Sequence, residues 1–167
     1  MEQARTSFEQ INAKTINGGN TIQMIYENTG SEKVANFKNW DVIVRYYDTS
    51  NPSKAYTTWV PYAESSPSNN EWTVAGIYAD VKRGIPEAYD PGILNPGEQI
   101  VVEVHLPHTV APATQVQVTL AVKNGANLSG VFIRNTPPTL AINNGITIAS
   151  LSTKIINETA LKTTDVD

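Results

Sequence analysis

The sequence predicts an all-β, immunoglobulin-like antiparallel β-sandwich with a short N-terminal helix. Three observations carry this. About seven runs place apolar residues at every second position. Clusters of Gly, Pro, Asn, Asp and Ser separate the runs. Beyond the opening residues no helical period is sustained. The helix tail is assigned to residues 1–12, the sandwich to 13–135, and a linker with a partial appended segment to 136–167.

Met1 to Ile11 has Ala4, Phe8 and Ile11 at helical spacing and neither Gly nor Pro, so it reads as a helix too short to stand alone. Asn17-Gly18-Gly19-Asn20 ends it. Thr21 to Asn28 alternates, with Ile22, Met24 and Tyr26 inward, and closes on Asn28-Thr29-Gly30. Trp40 to Asp48 has large side chains on both faces, Val42, Val44 and Tyr46 against Ile43, Arg45 and Tyr47, which predicts a central strand. Tyr56 to Tyr62 and Trp72 to Ala79 are strands joined by a polar loop, and Val81 to Pro91 is irregular.

Two Pro-Gly pairs, Pro91-Gly92 and Pro96-Gly97, let the chain turn twice before the run Gln99 to Leu106. That run has Ile100, Val102, Val104 and Leu106 on one face and reads as a core strand. Gln115 to Val122 alternates, Asn124-Gly125 is a hairpin signal, and Leu128 to Arg134 is the return strand. Pro137-Pro138 marks a boundary, because paired prolines cannot continue a central strand.

Composition removes several function classes. A net charge of −4, 17% charged residues and no Lys/Arg cluster leave no phosphate-binding face, so nucleic acid is not a partner. With no cysteine there is no disulfide, thiolate metal site or cysteine nucleophile. The apolar stretches are strand-sized, so any targeting segment of an exported protein is expected upstream of Met1 or already removed. No Gly-x-Ser-x-Gly elbow is present, and the expected function is not enzymatic.

His105 and His108 lie three apart with no further metal ligands in spacing. Asp80, Glu87, Asp90 and Glu98 flank the double corner and offer oxygen ligands of the kind calcium takes, though solvated loop carboxylates are the simpler reading. Tyr56, Trp59, Tyr62 and Trp72 offer a possible ligand surface where a pyranose ring could stack, against the plainer reading as core aromatics. Asn127-Leu128-Ser129 and Asn157-Glu158-Thr159 match the N-glycosylation pattern, with Asn127 and Asn157 as acceptors.

Two resemblances follow from particular residues. Glu2 to Ile11, then Ile93-Leu94-Asn95-Pro96-Gly97-Glu98 and Asn124-Gly125-Ala126 through Val131-Phe132, resemble the globular part of archaellins and type IV pilin-like surface proteins. That family carries a hydrophobic N-terminal helix before the sandwich, and no such helix lies within these residues. The resemblance implies an extracellular or cell-surface filament or appendage subunit that self-assembles with other protein subunits and meets a membrane only through an upstream helix. Residues 135–146 and 160–167 resemble the start of a cadherin-like repeat of the chondroitin-sulfate-proteoglycan type. In that pattern an Asp-x-Asp contributes to calcium binding, which implies Asp165 and Asp167 as metal ligands and calcium as the one cofactor. The alternative function is a glycan- or calcium-dependent adhesin module using the Tyr56 to Trp72 region.

Overall fold

A computed structural model describes residues 6–87, 90–122 and 126–136, together with the backbone of 139–142 and 161–164. The chain divides into two compact units, Met1–Arg134 and Asn135–Asp167. In chain order the strands of the first unit are β1 (Phe8–Ile16), β2 (Thr21–Asn28), β3 (Asp41–Tyr47), β4 (Ala55–Val60), β5 (Glu71–Asp80), β6 (Ile85–Pro86), β7 (Gln99–His105), β8 (Gln115–Ala121) and β9 (Asn127–Ile133). The second unit holds an antiparallel pair, β10 (Thr139–Ile142) and β11 (Leu161–Thr164), in register from Thr139 opposite Thr164 to Ile142 opposite Leu161.

The first unit is a sandwich of two antiparallel sheets, ordered β1-β2-β7-β5-β6 and β4-β3-β8-β9. The first four strands of the larger sheet follow the immunoglobulin order A-B-E-D, and the smaller sheet is C-F-G with one added strand beside C. Alternating sets on four strands form the core: Ile22, Met24 and Tyr26 on β2, Val42, Val44 and Tyr46 on β3, Ile100, Val102 and Val104 on β7, and Val116, Val118 and Leu120 on β8. Burying each such side chain stabilises the fold by about 1.5–3 kcal/mol.

Where antibody domains pack a tryptophan on a disulfide, this cysteine-free chain stacks two tryptophans. Trp40, just before β3, lies on Trp72 of β5 with ring centroids 6.3 Å apart and planes 25° apart. Phe37, Phe8 and Tyr62 meet this pair edge-on. The aromatic stack thus joins the two sheets.

The expected N-terminal helix is corrected: Phe8 to Ile11 belong to β1, and residues 1–5 lie outside the described residues. The chain folds back at Asn17–Gly19, all three at positive φ, and β1 pairs with β2 from Phe8 opposite Asn28 to Ile16 opposite Thr21. A bulge at Ile11, between Gln10 and Asn12, breaks the period of two. Ile11 is the extra residue and stands 46% exposed while Phe8 packs on the core, so their helical spacing does not reflect a shared face. Ladder hydrogen bonds and the packing of Phe8 and Ala13 on the core decide the outcome.

The double corner before β7 is pinned from β2. Asn28 is fully buried, and its side-chain amide donates to the carbonyls of Glu32 (2.9 Å) and Leu94 (3.2 Å), while its side-chain oxygen accepts from the Gly30 amide at 3.1 Å. Its backbone carbonyl accepts from the Gly97 amide at 2.8 Å. Gly97 has φ 82, the left-handed region that a Cβ disfavours. Leu94 is thereby held in the core, bridged to Val34 in both directions.

Candidate assembly surface

Because β2, β3, β7 and β8 each bury one face, their other faces define the two outer surfaces of the sandwich. The outer face of the five-stranded sheet is polar and internally paired. Gln23 donates to Glu103 across β2 and β7 at 2.8 Å, and Gln99 donates to Glu27 at 3.1 Å. Gly76 leaves space that the Tyr78 ring of the same strand fills, and Val101 between them is buried. The exposed large apolar side chains of this sheet, Ile11 at 46% and Ile85 at 45%, lie on its two edge strands, β1 and β6.

The outer face of the four-stranded sheet is different. Strand register sets Trp59, Ile43, Thr119 and Ser129 in one row. The next row is Thr57, Arg45, Gln117 and Val131, and a third ends on Gln115 and Ile133. Four of its apolar side chains are open to solvent: Ile43 at 43%, Val131 at 51%, Trp59 at 55% and Ile133 at 64%. Asp41 and Arg45 are the only charged side chains among the strand residues of this face, and Asp41 accepts from the Trp59 indole at 3.1 Å. The groove between Arg45, Tyr47, Gln115 and Gln117 encloses about 20 Å³. That is room for a water, far below the about 300–1,000 Å³ of a small-molecule site.

Sequence reasoning missed Ile43, Val131 and Ile133 as surface residues. Ile43 carried the available signal, an apolar residue on the outward phase of an alternating strand, and it was absorbed into the expectation of a central strand. β3 is indeed central in its sheet.

The four aromatics proposed as a ligand surface do not share one. Trp72 is fully buried, and Tyr62 packs against it at 4.8 Å. The expected position for Trp72 is therefore corrected: stacking on Trp40 buries far more of its ring than a place on the surface would. Trp59 alone points from the outer face beside Ile43, while Tyr56 packs on Tyr46 at 5.4 Å and His108 at 5.4 Å.

The acidic residues around the corner are each engaged locally. Asp80 accepts from the Arg83 amide, Glu87 from the Gly92 amide, Glu98 from the Asn95 amide, and Asp90 pairs with Lys33 at 2.5 Å. No group of three or more His, Cys, Asp or Glu side chains able to hold a metal occurs among the described residues. His105 closes β7, and His108 is exposed. Asn127 opens β9 and is exposed. Asp165, Asp167 and Asn157 lie outside the described residues. At the turn leading to β4, the Asp48 carboxylate accepts from the Ser50 hydroxyl and from the Ser50 and Asn51 amides, and these bonds hold it below the usual carboxylate range.

Comparison with known proteins gives the same architecture. A family model for archaeal-type flagellin matches residues 1–132. The archaellum periplasmic stator protein FlaG from Sulfolobus acidocaldarius is 17% identical, with a TM-score of 0.53 over 76% of this chain and 99% of that one. The stator complex of FlaF and FlaG from the same organism is 17% identical, with a TM-score of 0.53 over 78% and 92%. The archaeal flagellin FlaB1 from Methanocaldococcus jannaschii is 15% identical, with a TM-score of 0.54 over 77% and 90%. No curated protein sequence matches. The structural likenesses speak to fold, and the family match, which spans most of the 167 residues, assigns the lineage: the chain belongs to the archaeal-type flagellin family.

Proposed function

We propose that this chain is a non-enzymatic structural component of an archaellum-type filament or appendage, placed outside the cell or in its envelope and working by association with other protein subunits. The observation that carries the reading is the undercharged outer face of β4-β3-β8-β9, with Trp59, Ile43, Val131 and Ile133 exposed on it in a member of the flagellin family. Exposed apolar residues gathered on one face mark interaction surfaces, and interface cores are poor in charge. The fold shared with a flagellin and with archaellum stator proteins supports the same role. No helix of the described residues is long and apolar enough to cross a membrane; attachment, in this reading, comes from a hydrophobic segment preceding these residues. The adhesin alternative loses Trp72 and Tyr62 from its aromatic platform. The cadherin-like resemblance of residues 135–167 has no counterpart in the comparisons and carries no part of the proposal.

The test is assembly with one face altered at a time. Ile43→Glu combined with Val131→Glu should leave the far-ultraviolet spectrum unchanged and cut incorporation into filaments or subunit complexes at least tenfold. Ile25→Glu on the opposite outer face should incorporate normally. Equal incorporation of all three proteins would refute this surface.

A further inference from the structure

The first and last strands of the first unit, β1 and β9, lie side by side although they belong to different sheets and no ladder joins them. Three contacts occur in the same order along both, so the two strands run in the same direction. Thr6, Ser7 and Phe8 line one groove with residues 126–129. Farther along, the Gln10 side chain stands where a Cβ on Gly130 would be. Beyond both strands, Arg134 reaches Gly18 in the turn that follows β1. The start of β1 and the end of β9 are therefore at opposite ends of the sandwich.

That arrangement decides how the unit meets a pull on its two ends. β1 is drawn one way along its axis and β9 the other. Ladder bonds stand perpendicular to antiparallel strands. A lengthwise pull thus loads the bonds of β1 with β2, and of β9 with β8, together instead of opening them one after another. Between β1 and β9 themselves there is no ladder to resist sliding. What joins their finishing ends is an arginine.

The Arg134 guanidinium donates to the carbonyl of Gly18 at 2.8 Å and to that of Val110. The Val110 amide in turn donates to the Gly19 carbonyl at 3.0 Å, which closes the set. The arginine backbone continues the pairing of β9 past its last residue: its amide donates to the Thr114 carbonyl at 3.0 Å, and its carbonyl accepts from the Ala113 amide at 2.9 Å. Gly19 makes room for this seat, because a Cβ there would collide with the guanidinium. Bonds from a charged donor are stronger than neutral ones, and the rigid fork serves two carbonyls at once.

We infer that the first unit is built to carry tension between its two chain ends, with Arg134 as the latch that stops β9 sliding past β1. The chain continues past Arg134 into the second unit, so a load on that segment enters the sandwich at the latch. The inference goes beyond the assembly role proposed above and does not depend on which face a partner covers.

The sequence has no cysteine, so two introduced cysteines fix the axis of pull in the full chain. Handles at Glu9→Cys and Asn135→Cys pull lengthwise, and handles at Gln23→Cys and Ile43→Cys pull across the two sheets. Forced unfolding in optical tweezers reads the unfolding rate. At equal load the native chain should unfold more slowly lengthwise than crosswise. Arg134→Ala, with its far-ultraviolet spectrum retained, should raise the lengthwise rate at least tenfold more than the crosswise rate. Arg134→Lys keeps the charge and loses the fork; it should fall between the two, and it replaces the alanine variant if that one does not fold. Like acceleration on both axes would make Arg134 an ordinary stabilising contact and overturn the latch. No acceleration on either axis would overturn it too. A native chain that yields lengthwise as readily as crosswise would overturn the tension-bearing role, and the assembly face would stand untouched.

Discussion

On the outer face of the five-stranded sheet, Gln23 reaches Glu103 and Gln99 reaches Glu27, so cross-strand neighbours satisfy one another. In the corresponding rows of the four-stranded sheet, Trp59 lies beside Ile43 and Val131 beside Gln117, and the apolar members remain open to water. Both faces come from the same pleated alternation, and both sheets send Val and Tyr inward. The difference lies wholly in the outward phase. Cross-strand polar pairs satisfy one another on one face, whereas apolar area left open on the other is worth about 25 cal/mol per Å² if it is covered. A stable core therefore says little about which side of a sandwich is used.

Neighbouring residues of β3 give the largest contrast, because Val44 is fully buried and Ile43 is exposed. Val44→Asp should unfold the first unit, since an unpaired buried carboxylate costs several kcal/mol against a total of about 5–15 kcal/mol. Ile43→Asp should cost about 1 kcal/mol, the span of strand propensity. Chemical denaturation of the two variants checks this. A cooperative, near-normal transition for Val44→Asp would reverse the assignment of the faces.

A smaller effect distinguishes the inner layer by pH. Burial, with help from Tyr56 and Asp48, raises the Tyr46 hydroxyl to about 12. In the unfolded chain it ionises near about 10. The folded state therefore favours the protonated form, so this contribution is complete below pH about 10 and is lost as the pH rises to about 12. Tyr46→Phe should flatten part of the stability loss across that interval. Some slope should remain, because burial also raises Tyr26 and Tyr62. An unchanged alkaline slope would show that the Tyr46 hydroxyl is not shielded.

How much of this was legible in the sequence depended on whether a position had one physical duty or two. In β2 and β7 alternation encodes burial directly, and the inward residues read from the sequence are core residues; in β3 it offered two faces of large side chains, of which Val42, Val44 and Tyr46 are the buried one. β1 was misread because the bulge at Ile11 shifts the phase of the pattern, and pairing with β2 outweighs a weak local helical spacing. β6 is too short to have a period. Trp72 and Trp59 are alike in sequence, yet one stacks on Trp40 between the sheets and the other stands on the outer face. Only the strand registers, β4 against β3 and β5 against β7, separate them. The role of Asn28 was equally hidden, since its buried amide acts on Glu32 and Leu94, four and sixty-six positions away.

The three tryptophans allow the central claim to be measured in one experiment. Trp40 and Trp72 are buried in the core, and Trp59 is 55% exposed on the proposed assembly face. Acrylamide quenching of the free chain should reach one tryptophan, and Trp59→Phe should abolish that accessible fraction. After assembly the accessible fraction should fall severalfold, while side-chain footprinting of Tyr78 on the opposite outer face stays unchanged. A Trp59 that remains equally quenchable in the assembled state would contradict the account.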